Sequence, residues 1–296
     1  EYMQTVFKEN FPSKEEVAAF LEDTTCMNWH EAIIEKATAV ASSIPEVEAI
    51  LLKGSLAKGE GDIFSDIDFL ILHIGDDSTT AKIRKQIMNG LSDIGDVIHY
   101  FFSTLDNETP IIYFKPWVKF ELAIDLVENA KNHWTHSFAK TLFDRNKLGA
   151  AVVEQASKVS FDMSDHVLQI SNLAIALPSF VYIVAGFVVR GEHITAIDAL
   201  DYVRNEMLTV NGLLLGLWNE GPRRAGMRFP EKVLYYYNRT RVAEVSDVWL
   251  ALGYLLDWYE DWLIPRFEQL ETPHARHEIP TLKLMLRQLE KKTQST

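Results

Sequence analysis

Asp66 and Asp68, in the run "FSDIDFLIL", set two carboxylates two positions apart where a hydrophobic stretch begins. In a strand, alternate side chains share a face, so both carboxylates point to one spot, with Ile67 and Phe69 on the other face. Like charges held together beside an apolar strand are costly unless a cation joins them. Two hard oxygen ligands on one face suit Mg²⁺. Upstream, Gly54 and Ser55 sit where the apolar run 47–53 stops, and ten residues separate them from the aspartates. The glycine permits a tight turn, and Ser55 with free backbone amides can hold phosphate oxygens. A GS pair or a DxD pair is common alone. Together at strand ends, they point to metal-assisted phosphate chemistry.

Such a site needs a sheet to position it. "VEAILLK" (47–53), "DFLILHI" (68–74), "DVIHYFF" (96–102) and "VKFELAIDLV" (118–127) read as strands, and 79–91 as a helix between the second and third. Two helices precede them, with cap spacing at Ser13 and Glu16 and at Asn28 and Glu31. From about residue 157 the strand signals stop. Apolar-periodic helical segments follow at 164–190, 193–218, 230–240 and 244–270, with an amphipathic tail at 280–292. The expected fold is α+β: a first domain of residues 1–156 with a mixed β-sheet and helices, then a helical bundle over 157–296.

Charge and composition narrow the partners. The chain of 296 residues has a net charge of −13, of which −11 falls in residues 1–156. Nonspecific nucleic-acid binding rests on neutralising phosphates with Lys and Arg, so no nucleic-acid partner is expected and a small or cationic substrate suits better. The single cysteine, Cys26, and the lack of a basic-then-apolar leader in the sequence given lead to the expectation of a cytoplasmic protein. Residues 167–189 carry no charge and are long enough to span a bilayer, but Gln169, Ser171, Asn172, Pro178 and Ser179 favour a central bundle helix, so no membrane partner is expected.

"GSLAKGEGDIFSDIDFLI" resembles the signature of the nucleotidyltransferase superfamily that includes DNA polymerase beta, and within it the antibiotic nucleotidyltransferases. It is most similar to the lincosamide nucleotidyltransferases, which have a similar "KGEGD" interval and "SDI" before the second acid. "SNLAIALPSFVYIVAGFVVRGEHITAIDAL" is placed like that family's first two C-terminal helices. The resemblance implies Mg²⁺ held by Asp66 and Asp68, and ATP as nucleotide donor, held through Gly54, Ser55 and Lys58. It also implies a third catalytic carboxylate on a neighbouring strand, a small antibiotic as acceptor and a homodimer. Glu121 in "KFELAID" is the natural match for the third acid, with Asp125 as runner-up and Asp96 third. The residues before about 30 and the loop 221–232 depart most from the family.

Alternative readings concern the acceptor and the helical half. An aminoglycoside adenylyltransferase would show several convergent carboxylates for its ammonium groups, and a minimal protein-modifying nucleotidyltransferase would lack the large helical half. A noncatalytic nucleotide-binding or interaction protein with the same fold would normally have lost an acid. In the helical half, Arg223, Arg224, Arg228, Lys232, Arg239 and Arg241 form a basic island, read as a solvated face or as a phosphate contact. Trp258, Tyr259 and Trp262 beside Asp257, Glu260 and Asp261 read as core by helical spacing, with an amine-binding wall as the rival. His133, His136, His274 and His277 are expected at the surface.

Overall fold

The computed structural model describes residues 10–294, and they divide into two compact units that meet in sequence between Ser160 and Phe161. The first unit opens with α1 (Lys14–Leu21), where Ser13 and Glu16 form the expected capping box. In α2 (Asn28–Ser42) Asn28 is the first helical residue and Met27 stands at the cap without a side-chain hydrogen bond, so the expected Asn28–Glu31 cap is absent. Then come β1 (Ala49–Leu52), α3 (Gly54–Lys58), β2 (Ile67–His73), α4 (Asp77–Asn89), α5 (Leu91–Ile94) and β3 (Val97–Phe102). The unit continues with β4 (Pro110–Phe114), β5 (Val118–Leu126), α6 (Val127–Ala130), β6 (Lys140–Asp144) and α7 (Leu148–Ala156).

The six strands make one mixed sheet in the order β3-β4-β5-β2-β1-β6, with β2 and β5 parallel and the other pairs antiparallel. Burial on both faces explains the near-continuous apolar runs. One face sends Ile50, Ile67, Phe69, Ile71 and Phe120 against α2, α4 and α5. On the other face Leu51, Leu70 and Leu72 pack on Val127, Ala130 and Val152 of α6 and α7. Asp66 and Asp68 share the second face, just before the point where that apolar cluster begins. Opposite them, Phe69 meets Phe120 with ring centroids 5.1 Å apart, a contact worth about 0.5–1.5 kcal/mol beyond area burial. The pair packs β2 against β5 diagonally, since Phe69 is in register with Leu122 and Phe120 with Ile67.

In the second unit α8 (Val167–Val189) and α9 (His193–Leu214) pack along each other, followed by α10 (Ala225–Arg228), α11 (Glu231–Arg239), α12 (Val248–Trp258), α13 (Ile264–Gln269) and α14 (Ile279–Gln294). α8 is long and apolar enough to cross a membrane. Its residues Ile170, Leu173, Ala174, Leu177, Val181, Val184 and Val188 recur at helical spacing inside the unit's core, while Leu168, Ile175, Tyr182 and Ile183 on its other side are exposed. A π-turn, Tyr259–Leu263, joins α12 to α13. Tyr259 is buried there. Its hydroxyl donates to the Ala174 carbonyl and accepts from the Ala275 N–H at 3.0 Å, and burial raises its pKa to about 12.

The aromatic stripe is core, and its acids are engaged. Trp258 and Tyr259 are buried, Asp257 and Glu260 each hold Lys283 at 2.7 Å, and Asp261 accepts the Tyr236 hydroxyl at 2.6 Å. Half of the basic island is likewise tied internally, and Arg223, Arg224 and Arg241 are exposed. Arg228 donates to the carbonyls of Trp218, Gly221 and Arg223, Arg239 lies over Tyr235 and Tyr254, and Lys232 lies over Trp262. One histidine differs from expectation: His136 is buried, because the turn Trp134–Phe138 folds back and its Nδ1 lies 2.8 Å from the Ala130 carbonyl.

Candidate active site

Strand register brings the acids together. Asp68 on β2 stands directly beside Glu121 on β5, and in a parallel pair such partners project from the same face about 4.8 Å apart. Asp125 pairs with Leu72 four residues along, where its Oδ1 accepts from the Leu126 N–H and from Asn129, so it is engaged next to α6. Asp96 precedes β3, two strands away from β5. Of the three candidates for the third acid, Glu121 alone is in register with Asp68.

Glu121 is half-buried, and its surroundings oppose its charge. Burial and the neighbouring Asp68 push its pKa above the ordinary 4.5, while Lys119 and Lys53 pull the other way without cancelling them. Lys119, two residues earlier on the same face of β5, places Nζ 2.5 Å from Asp66 Oδ2 and 3.9 Å from Glu121 Oε2. Burial alone would lower the Lys119 pKa, but the bond to Asp66 together with the charges of Asp66 and Glu121 outweighs it, and the net shift is upward. One ammonium thus serves two of the three acids.

Gly54 explains how Asp68 fits. Its φ is +68°, in the left-handed region, and a Cβ built there would overlap Asp68 Oδ2 and come within 3.1 Å of Asp68 Cγ. The Asp68 carboxylate therefore occupies the space a side chain would fill, and the Lys53 N–H donates to the Asp68 carbonyl at 2.9 Å. Ser55 is the second residue of α3, and Lys58 at its end lies 4.7 Å from the centre of the Phe138 ring. Gly59 ends α3 at φ +72°.

The approach to Asp66 is fixed by a turn and a buried histidine. Asp62 and Ser65 close the turn through Asp62 N–H to Ser65 Oγ at 3.0 Å and Phe64 N–H to Asp62 Oδ1 at 2.9 Å. His30, fully buried on α2, lies with Nε2 3.0 Å from the Ser65 carbonyl. A carbonyl only accepts, so Nε2 carries the proton, and Nδ1 is left buried with no hydrogen-bond partner. Burial lowers the His30 pKa against the pull of Asp62 and Asp66, which keeps this neutral form.

The donor set suits a hard divalent ion. Mg²⁺ is usually held by one or two carboxylates with substrate phosphates and waters completing its shell, and the cradle at Gly54 holds one such carboxylate in place. Among the described residues no group of three His, Cys, Asp or Glu side chains lies close enough to hold a metal by itself. Lys119 and His30 were not foreseen from sequence. Lys119 carried one signal, the same alternation along "VKFELAID" that singles out Glu121.

Residues 33–147 match the family model of the nucleotidyltransferase domain. No curated protein matches the chain. Among solved structures, the chain is similar to an aminoglycoside 6-adenyltransferase from Bacillus subtilis, with 13% identity, 90% of this chain and 99% of that one covered, and a TM-score of 0.36. It is also similar to a nucleotidyltransferase-like protein from Exiguobacterium sibiricum 255-15, with 14% identity, 87% and 89% covered, and a TM-score of 0.41. With its mixed six-stranded sheet around the paired acids and a helical part after it, the chain is α+β, and residues 33–147 of it are similar to the nucleotidyltransferase domain.

Proposed function

We propose that the protein transfers a nucleoside monophosphate, AMP from ATP, to a hydroxyl of a small antibiotic, a lincosamide, and so inactivates it. The observation that carries the chemistry is the pairing of Asp68 with Glu121 in register, with Asp68 seated on Gly54. The acceptor class rests on the resemblance of residues 54–71 to the lincosamide enzymes.

In this reading the acceptor oxygen attacks the α-phosphorus. A new oxygen–phosphorus bond forms, the bond from the α-phosphorus to the bridging oxygen breaks, and pyrophosphate leaves. Glu121 takes the hydroxyl proton. Ser55 and the backbone amides after Gly54 hold the pyrophosphate end, with Lys58 one turn further along α3. Asp66 and Asp68 would hold Mg²⁺, which when bound supplies charge neutralisation to the triphosphate. Lys119 keeps Asp66 and Glu121 compensated, and His30 holds the turn that presents Asp66.

The test is pyrophosphate release by purified protein with ATP and Mg²⁺, screened against lincomycin, clindamycin, streptomycin, spectinomycin and kanamycin. Release with a lincosamide, lost in Asp68→Asn at unchanged thermal stability, is the expected result. Undiminished release by Asp68→Asn removes the role given to that carboxylate. Release only with an aminoglycoside replaces the acceptor.

A further inference from the structure

A cavity of about 400 Å³ opens beside Asp66, within the first unit. Val17 and Leu21 of α1 form one wall, Phe64 of the 62–66 turn a second, and Tyr113 and Trp117 of the β4–β5 hairpin a third. α1 lies outside residues 33–147, so this wall is an addition to the matched domain. It is fastened at three points. Phe20 is buried in the sheet's core cluster, Glu16 pairs with Lys115 at 3.8 Å, and the Thr24 carbonyl accepts the Ile63 N–H at 3.1 Å.

The lining has a definite chemistry. Phe64 and Trp117 remain 69% and 47% exposed, a costly arrangement for two large rings at one cavity unless something covers them. Behind them Tyr113 stacks on His99 at 4.8 Å and meets Trp117 at 6.1 Å, so the aromatic wall is held by its neighbours. The charged groups in the lining are Asp66 and Lys119, and they are paired with each other. A polycation entering this space finds one carboxylate already neutralised. A ring-bearing apolar body gains contact on three sides. Lys119 also lies 3.9 Å from Glu121, so a hydroxyl at this corner of the cavity is one side chain away from the proposed base.

We propose that this cavity is the acceptor pocket, and that it takes the apolar, ring-bearing body of an acceptor with few charges while α1 and Trp117 set the selection. The proposal rests on the nucleotidyl-transfer reading and specifies where its acceptor sits. Lincomycin, with an apolar substituent and one amine, and kanamycin, with several amines, serve as probes. Val17→Trp fills the cavity from α1, Trp117→Ala removes a wall, and Trp117→Phe keeps a ring there. In full-length protein the expected result is a lincomycin affinity weakened at least about tenfold by Val17→Trp and by Trp117→Ala, and largely kept by Trp117→Phe. Binding of a fluorescent ATP analogue with Mg²⁺ stays within about twofold of the parent in all three, which also reports a folded site. Equal lincomycin affinity in the parent and Val17→Trp, including no binding by either, overturns the pocket, as does tighter binding of kanamycin than of lincomycin. Failure of the parent to bind the ATP analogue overturns the nucleotidyl-transfer reading instead.

Discussion

Gly54 and Gly59 bracket α3 with nearly the same backbone, φ +68° and +72°, and differ in what a side chain would meet. At Gly59 an added Cβ finds nothing within 4 Å, whereas at Gly54 it overlaps the Asp68 carboxylate. Gly59→Ala therefore pays only for an alanine in the left-handed region, about 1–2 kcal/mol, which lowers the melting temperature by roughly 2–8 °C in a domain of this size. Gly54→Ala pays the same strain and must in addition move Asp68 by about 1 Å, and a displacement of that size at a reacting centre costs about 100-fold in rate, or about 2.7 kcal/mol on the barrier. Thermal unfolding and pyrophosphate release on both variants separate the two contributions. The expected outcome is a loss of stability at least as large in Gly54→Ala as in Gly59→Ala, with kcat falling about 100-fold in Gly54→Ala and by less than about twofold in Gly59→Ala. Equal activity in the two variants would refute the argument that Gly54 exists to seat Asp68.

Glu121→Gln tests the electrostatics from the stability side. A carboxyl whose pKa is raised in the folded state binds more protons folded than unfolded, so the parent loses stability as pH rises from the ordinary 4.5 through the raised value. Urea unfolding should find Glu121→Gln at least as stable as the parent near pH 8, with the gap closing near about pH 4. A less stable variant near pH 8 would mean that Lys119 and Lys53 outweigh burial and Asp68. His30→Leu deletes the donor to the Ser65 carbonyl and should lower kcat/KM about tenfold, with His30→Gln restoring most of it. Equal rates in the two would show that His30 only fills space. Tyr259→Phe removes the hydroxyl shared by Ala174 and Ala275 and leaves both backbone groups buried, at about 1–3 kcal/mol of stability in chemical unfolding. No change would show that water or a shifted backbone replaces it.

The parts of the fold legible in the sequence were those with strong local periodicity. The runs around Ile50, Leu70 and Phe120 read as strands because burial on both sheet faces makes them almost wholly apolar. β4 and β6 were missed for local reasons. β4 begins at Pro110 and is five residues long, and β6 has Lys140 and Thr141 exposed, which weakens the apolar pattern. Within the site, the shared face of Asp66 and Asp68 follows from the period of two. That Glu121 rather than Asp125 stands beside Asp68 is a matter of register between strands about fifty residues apart, which no local pattern displays. Lys119 and His30 were hidden the same way, the second because its partner is a backbone carbonyl that carries no residue identity. His136 was misplaced because a polar stretch with two histidines looks exposed until the turn folds back on Ala130.

The most direct test is to follow the label from ATP carrying radioactive phosphorus at the α or the γ position, with Mg²⁺ and lincomycin. Nucleotidyl transfer puts the α label on the drug, releases the γ label as pyrophosphate, and loses both events in Asp68→Asn and in Glu121→Gln. Label reaching the drug from the γ position, or α label transferred undiminished by Glu121→Gln, would contradict the account.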